Sequence, residues 1–163
     1  MDRRLLILGV FGVALAIIVG VVLIAEGGDD SDEGSATAEV GEKPEVEVPE
    51  GQPPDELQIE DLEEGEGEEA ASGDEVSVHY VGVDFESGEE FDSSYDRGEP
   101  FQLQIGAGQV IPGWDQGLEG MKVGGRRQLV IPPELAYGPE GQPPDIGPNA
   151  TLVFVVDLVS IDS

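Results

Sequence analysis

The sequence has no cysteine, one histidine, one tryptophan and only seven lysines and arginines together. Without Cys there is no disulfide, no thiol nucleophile and no lipidated cysteine, and a chain without thiols suits any redox compartment. A single His excludes a multi-histidine metal site within one chain. The seven bases stand against 36 acids, for a formal charge of −29. Such a surface repels polyanions, so nucleic acid is not an expected partner. A length of 163 residues supports one domain of ordinary size with additions.

In chain order, Arg3 and Arg4 precede an uncharged run of 21 residues, Leu5 to Ala25. As a helix it would be roughly 32 Å long, enough to cross a hydrocarbon core. Bases before the run and acids after it place the N-terminus in the cytoplasm. Residues 1–25 are therefore expected to form an uncleaved signal anchor, a single N-terminal transmembrane helix, with the rest outside the cytoplasm. The alternative is a signal peptide cleaved near Ala25-Glu26-Gly27 and a secreted protein. Residues 26–56 lack apolar periodicity and are rich in acids, Gly and Pro. They read as a disordered acidic linker that its like charges keep extended. The acidic run lacks the spacing of an EF-hand, so a solvated spacer is favoured over a calcium site.

Residues 57–163 read as a domain. Leu57, Ile59 and Leu62 suggest an edge strand. Glu75 to Phe85 is the first firm strand, with Val76, Val78 and Tyr80 on one face and Ser77, His79 and Val81 on the other. Short strands are expected at Phe91–Ser94, Phe101–Ile105 and Arg127–Ile131. Thr151–Ile161 is nearly all apolar, as in a strand buried on both faces. Tyr95–Pro100 and Pro132–Pro148 read as loops. One stretch reads as helix: Pro112 suits its first turn, and Trp114, Leu118 and Met121 follow at spacings of four and three. Gly120, Gly124 and Gly125 close it. The predicted class is α+β, a curled antiparallel β-sheet wrapped around one short α-helix, with Trp114 pointing into the concavity. His79 alternates away from Tyr80 and reads as a structural strand residue.

Five blocks carry a family likeness: Val78-His79-Tyr80, Phe91-Asp92-Ser93-Ser94, Val110-Ile111-Pro112-Gly113-Trp114, Ala136-Tyr137-Gly138 and Ala150-Thr151-Leu152-Val153-Phe154. In order and spacing they resemble the signatures of FKBP-type peptidyl-prolyl cis-trans isomerases, from about Gly73 to Ile161. The resemblance implies an FKBP-like fold and X-Pro isomerase activity. It implies a catalytic set of Tyr80, Asp92, Ile111, Trp114 and Tyr137, with substrate contacts from Phe91, Arg97, Phe101, Val110, Ile146 and Phe154. Trp114 would underlie the proline ring, and the Ile111 N–H and Tyr137 hydroxyl would donate to substrate carbonyls. Proline-containing polypeptides are the implied clients and a macrolide the candidate ligand. No cofactor or metal is implied, and a monomer is expected.

Some alternatives stay open at this point. Asp92 either faces the twisted carbonyl or partners Arg97 and Tyr80 as part of the pocket wall; the second is favoured because a carboxylate has no proton to donate. The domain either turns over exported clients or holds proline peptides as a binding module or chaperone. Gln142 and Asp145 depart from the family pattern and bear on macrolide affinity and substrate preference. The segment 139–145 repeats 49–55 residue for residue. That is either drift or a linker copy able to visit the pocket.

Overall fold

The computed structural model describes residue 38 and residues 41–162. The expected membrane span at 1–25 and the first part of the expected linker lie outside the described residues. Among the described residues no helix is long and apolar enough to cross a membrane.

Six strands form one antiparallel sheet: β1 (Gln58–Glu63), β2 (Glu75–Asp84), β3 (Glu90–Ser93), β4 (Phe101–Gln104), β5 (Arg126–Ile131) and β6 (Leu152–Asp162). The order is β1-β5-β6-β2-β3. β6 takes one edge of β2, while β3 and β4 share the other, β4 against Glu75–Val78 and β3 against Val81–Val83. Side chains alternate across β2 as its pattern predicts. Val76, Val78 and Tyr80 join the main core with Leu129, Ile131, Leu152 and Phe154, whereas Val81 and Val83 join a second cluster with Phe85, Val130 and Val153.

Helix α2 (Pro112–Leu118) lies against β5. Two glycines one turn apart set that distance. A Cβ on Gly113 would stand 2.5 Å from Ile131 Cγ2, and one on Gly117 would stand 2.7 Å from Leu129 Cδ2. Neither position has room for a methyl group, so the helix packs by its backbone and turns Trp114 and Leu118 into the core. Gly117→Ala should gain helix propensity of about 1 kcal/mol yet lose more through overpacking, a net loss of about 1–2 kcal/mol in urea denaturation. A stabilised variant would contradict this seating.

Three expectations need correction. The helix ends at Leu118, and Met121 reaches the core from the turn after it, where Gly120 adopts a positive φ of 83°. The segment after β3 is not all loop: Ser94–Arg97 forms one helical turn, α1, whose end Gly98 closes by donating to Ser94 O and Tyr95 O. A single turn is too short to show periodicity.

The third correction concerns the linker. Residues 41–56 contain no helix or strand, but they are not detached. Val46 and Val48 pack on the second cluster at the back of the sheet. Arg126 Nη2 donates to Glu42 O at 3.4 Å and Gln128 Nε2 to Glu47 O at 3.3 Å. Lys43 bridges Glu90 and Asp96. Apolar burial by two valines outweighs the acidic composition that made the segment read as solvated. Pro49 borders a groove with Gln58, Ile59, Glu60, Gln128 and Val130, so the first copy of the repeat begins at the far edge of the sheet.

Candidate active site

Trp114 is the centre of a ring cluster assembled from distant parts of the chain. It is 4% exposed and meets Tyr80 of β2 at 5.0 Å, Phe154 of β6 at 5.3 Å and Phe101 of β4 at 6.0 Å between centroids. The interplanar angles are 84°, 87° and 80°, so each neighbour meets it edge to face. That geometry pairs the positive ring edge with the negative face and adds about 0.5–1.5 kcal/mol per pair beyond burial. Phe91 of β3 extends the cluster, 5.5 Å from Phe154 at 89°. Gly82 of β2 permits this approach, since a Cβ there would sit 2.7 Å from both Phe91 and Phe154.

These rings border an open cleft of about 330 Å³. Its lining comprises Tyr80, Phe91, Asp92, Phe101, Gln109, Val110, Ile111, Trp114, Tyr137, Gln142 and Phe154. Nine of the eleven predicted site residues are among them. Arg97 stands behind the lining and holds two of its members. Ile146 is buried in the core instead, and its backbone pairs reciprocally with Gln142 at 2.9 Å. Gln109 was not anticipated; only its place beside Val110 could have suggested it. Asp115 fixes the loop that carries it, accepting from the N–H of Gly106 at 2.9 Å and of Gly108 at 3.2 Å.

One wall of the cleft is a closed polar triangle. Tyr80 Oη donates to Asp92 Oδ2 at 2.5 Å, Arg97 Nη1 to Asp92 Oδ1 at 2.6 Å, and Arg97 Nη2 to Tyr80 Oη at 2.9 Å. The Ser93 N–H adds a bond to Asp92 Oδ1 at 2.9 Å. Both carboxylate oxygens are therefore engaged by the protein. Burial, reinforced by the bond to Asp92, pushes the Tyr80 hydroxyl up to about 12, so it remains a donor at any ordinary pH. Tyr80 and Asp92 together raise the Arg97 guanidinium further.

Two other donors at the cleft are free. Among the described residues the Tyr137 hydroxyl and the Ile111 N–H find no hydrogen-bond partner. Burial and the charge of Asp92 both raise the Tyr137 hydroxyl, which keeps its proton. Ile111 is the N-cap of α2, where a backbone donor has no partner inside the helix. No group of three or more potential metal-ligating side chains occurs among the described residues.

Behind β2 lies a buried network of another kind. His79 Nδ1 is 2.9 Å from Ser94 Oγ, which also accepts the Tyr80 N–H at 2.8 Å. The His79 ring sits 4.7 Å from that of Tyr95, whose hydroxyl donates to Asp157. Arg126 holds the same carboxylate at 2.7 and 3.1 Å. Ser, His and Asp thus come together, but Ser94 is fully buried and Asp157 is occupied by Tyr95 and Arg126, so the set is structural. Burial lowers the His79 pKa below its ordinary 6.5, against a smaller pull from Asp157. A lowered value means the folded state favours the neutral ring. That stability is present above about 6.5 and is lost as pH falls through the folded-state value. The melting temperature should drop on acidification below that point, and less steeply in His79→Gln; superimposable pH profiles would refute the role.

The family model for FKBP-type peptidyl-prolyl cis-trans isomerases matches residues 66–159. An FK506-binding protein of Streptomyces anulatus is 60% identical over 121 residues, covering 74% of this chain and 98% of the relative. The "Probable FK506-binding protein" of Corynebacterium glutamicum is 58% identical over 119 residues, 73% of this chain and 98% of its own length. The crystal structure of AtFKBP13 superposes with a TM-score of 0.60 at 43% identity, covering 65% of this chain and 93% of that one.

Proposed function

This chain belongs to the FKBP-type peptidyl-prolyl cis-trans isomerases, and we propose that its aromatic cleft is where the X-Pro amide turns. The barrier to that rotation, about 18–20 kcal/mol, comes from amide resonance. In the twisted transition state the resonance is lost and the carbonyl is less polar. A planar amide gives up more hydration on entering an apolar cleft than a twisted one, so the cleft binds the transition state better. No proton transfer and no covalent intermediate is required.

In this reading the proline ring rests on Trp114, with Phe101, Val110, Ile111 and Phe154 at its sides. The Ile111 N–H and the Tyr137 hydroxyl donate to substrate carbonyls. Asp92 is a wall residue that orients Tyr80 and Arg97. The observation that carries the reading is the box of edge-to-face rings beside two donors that find no partner among the described residues. The relatives' name supports FK506 as a ligand of the same cleft. The uncharged run at 5–25 supports a membrane-anchored enzyme acting on exported polypeptides, whose slow X-Pro isomerisation limits folding.

The test is isomerisation of a Phe-Pro peptide by the full chain and by Asp92→Asn, which keeps shape and deletes charge. The side chains of Asp92 and Arg97 are 41% and 49% exposed, so solvent screens their bond. A stability loss of about 1 kcal/mol is expected, with activity falling alongside it. Arg97→Gln should mimic the effect and add little in the double mutant. Collapse of activity at an unchanged melting temperature would instead place the Asp92 charge on the twisted amide. A full chain that binds the peptide without turning it over would make the cleft a binding module.

A further inference from the structure

We infer that Lys43, carried on the strap 41–49 behind the sheet, is a positioning residue for the cleft wall formed by β3 and α1. The inference rests on the reading of the cleft as the isomerisation site. That wall carries Phe91, Asp92 and Arg97, and the sheet holds it weakly. β3 is four residues long, lies at the end of the strand order and slips register against β2 between Gly82 and Val83. α1 is a single turn with no side-chain cap at its start.

Lys43 supplies a tie across this weak point. Its Nζ donates to Glu90 Oε1 at 2.9 Å and to Asp96 Oδ1 and Oδ2 at 2.9 and 3.1 Å. Glu90 opens β3 and Asp96 lies in α1, so one ammonium group bridges the two ends of the segment that contains Asp92. Arg97 directly follows Asp96. Without a cation between them, Glu90 and Asp96 would repel each other and push the ends of the wall apart. In a chain with 36 acids and seven bases, few cations are available to replace it.

The strap is built to deliver that lysine. Val46 and Val48 pack on the cluster of Val81, Val83 and Phe85, which Tyr95 of α1 also joins. Arg126 and Gln128 hold the strap's carbonyls at Glu42 and Glu47. Two acids bridged by Lys43 keep its ammonium charged.

The test uses the full chain and the Phe-Pro peptide. Lys43→Met keeps the aliphatic stem and removes the cation. The tie is solvent-exposed, so kcat/KM should fall only roughly twofold to fivefold, mainly through KM, and Lys43→Arg should bring it back close to the wild-type value. In an Arg97→Gln background the same Lys43→Met change should have little further effect, because the tie acts through that wall. A core variant on β6 with a matched loss of melting temperature, Ile161→Val, should leave KM unchanged. Wild-type kcat/KM in Lys43→Met, full additivity with Arg97→Gln, or an equal loss in Ile161→Val would overturn the inference. If Trp114→Leu also leaves kcat/KM unchanged, the reading of the cleft has failed and this inference falls with it. If Trp114→Leu lowers it and Lys43→Met does not, only the role of the strap is wrong.

Discussion

Trp114→Ala is expected to cost the domain about 3–5 kcal/mol of stability and most of its isomerase activity. The ring is almost wholly buried and has edge-to-face partners in Tyr80, Phe101 and Phe154. Truncation removes its transfer energy, leaves a cavity between α2 and the sheet, and deletes three ring pairs. One feature pulls the loss toward the lower end. The indole Nε1 is buried without a protein partner among the described residues, so its removal recovers a desolvation penalty. Trp114→Leu restores an apolar floor and should retain more stability and some activity, with weaker substrate binding. Urea denaturation and the peptide assay measured together decide the matter. An alanine variant with wild-type kcat/KM would remove Trp114, and with it the cleft, from the mechanism.

The sequence discloses this site unevenly, for physical reasons. β2 and β6 announce themselves because one face or both must be apolar along their whole length, and alternation survives any detail of the turns. The helix is legible from Trp114 and Leu118, while its true end is not, because Met121 reaches the same core from a turn. Trp114 facing the concavity follows from the helix set against a curled sheet, while the full membership of the ring cluster follows only from the family likeness. Residues 80, 101, 114 and 154 have no common period, and only the curl of the sheet brings them together. The strap was hidden by its setting. Val46 and Val48 supply two points of a strand-like pattern within a strongly acidic stretch, and composition outvotes two residues. Lys43 likewise reads as an isolated base until Glu90 and Asp96, far along the chain, are placed around it. Arg127 shows the limit of alternation: it falls on the face of Leu129 and Ile131, but alternation does not say what an inward guanidinium would bind.

Arg127→Met is expected to cost about 2–3 kcal/mol and to weaken substrate binding as a consequence. Arg127 is 8% exposed on β5, and its Nη1 donates to Gly117 O at 2.9 Å and Glu119 O at 3.1 Å. The last carbonyls of a helix lack partners within it, and α2 ends at Leu118, so this guanidinium satisfies carbonyls at its C-terminal end. Its other edge pairs with Asp61 of β1 at 2.6 and 3.3 Å. The two interactions are unequal. The Asp61 side chain is 53% exposed, so the ion pair is screened and worth under about 1 kcal/mol. The bond to Gly117 O is buried and that to Glu119 O partly so, and their loss leaves one buried acceptor unpaired and a second one partly so. Methionine fills the space of the stem but donates nothing. Lysine keeps the charge without the fork and should recover only part of the loss. Since α2 carries Trp114 one turn away, a loosened C-terminal end should raise KM before it lowers kcat. Denaturation midpoints for Arg127→Met, Arg127→Lys and Asp61→Asn separate the contributions. If Asp61→Asn costs as much as Arg127→Met, the ion pair rather than the helix end is what Arg127 serves.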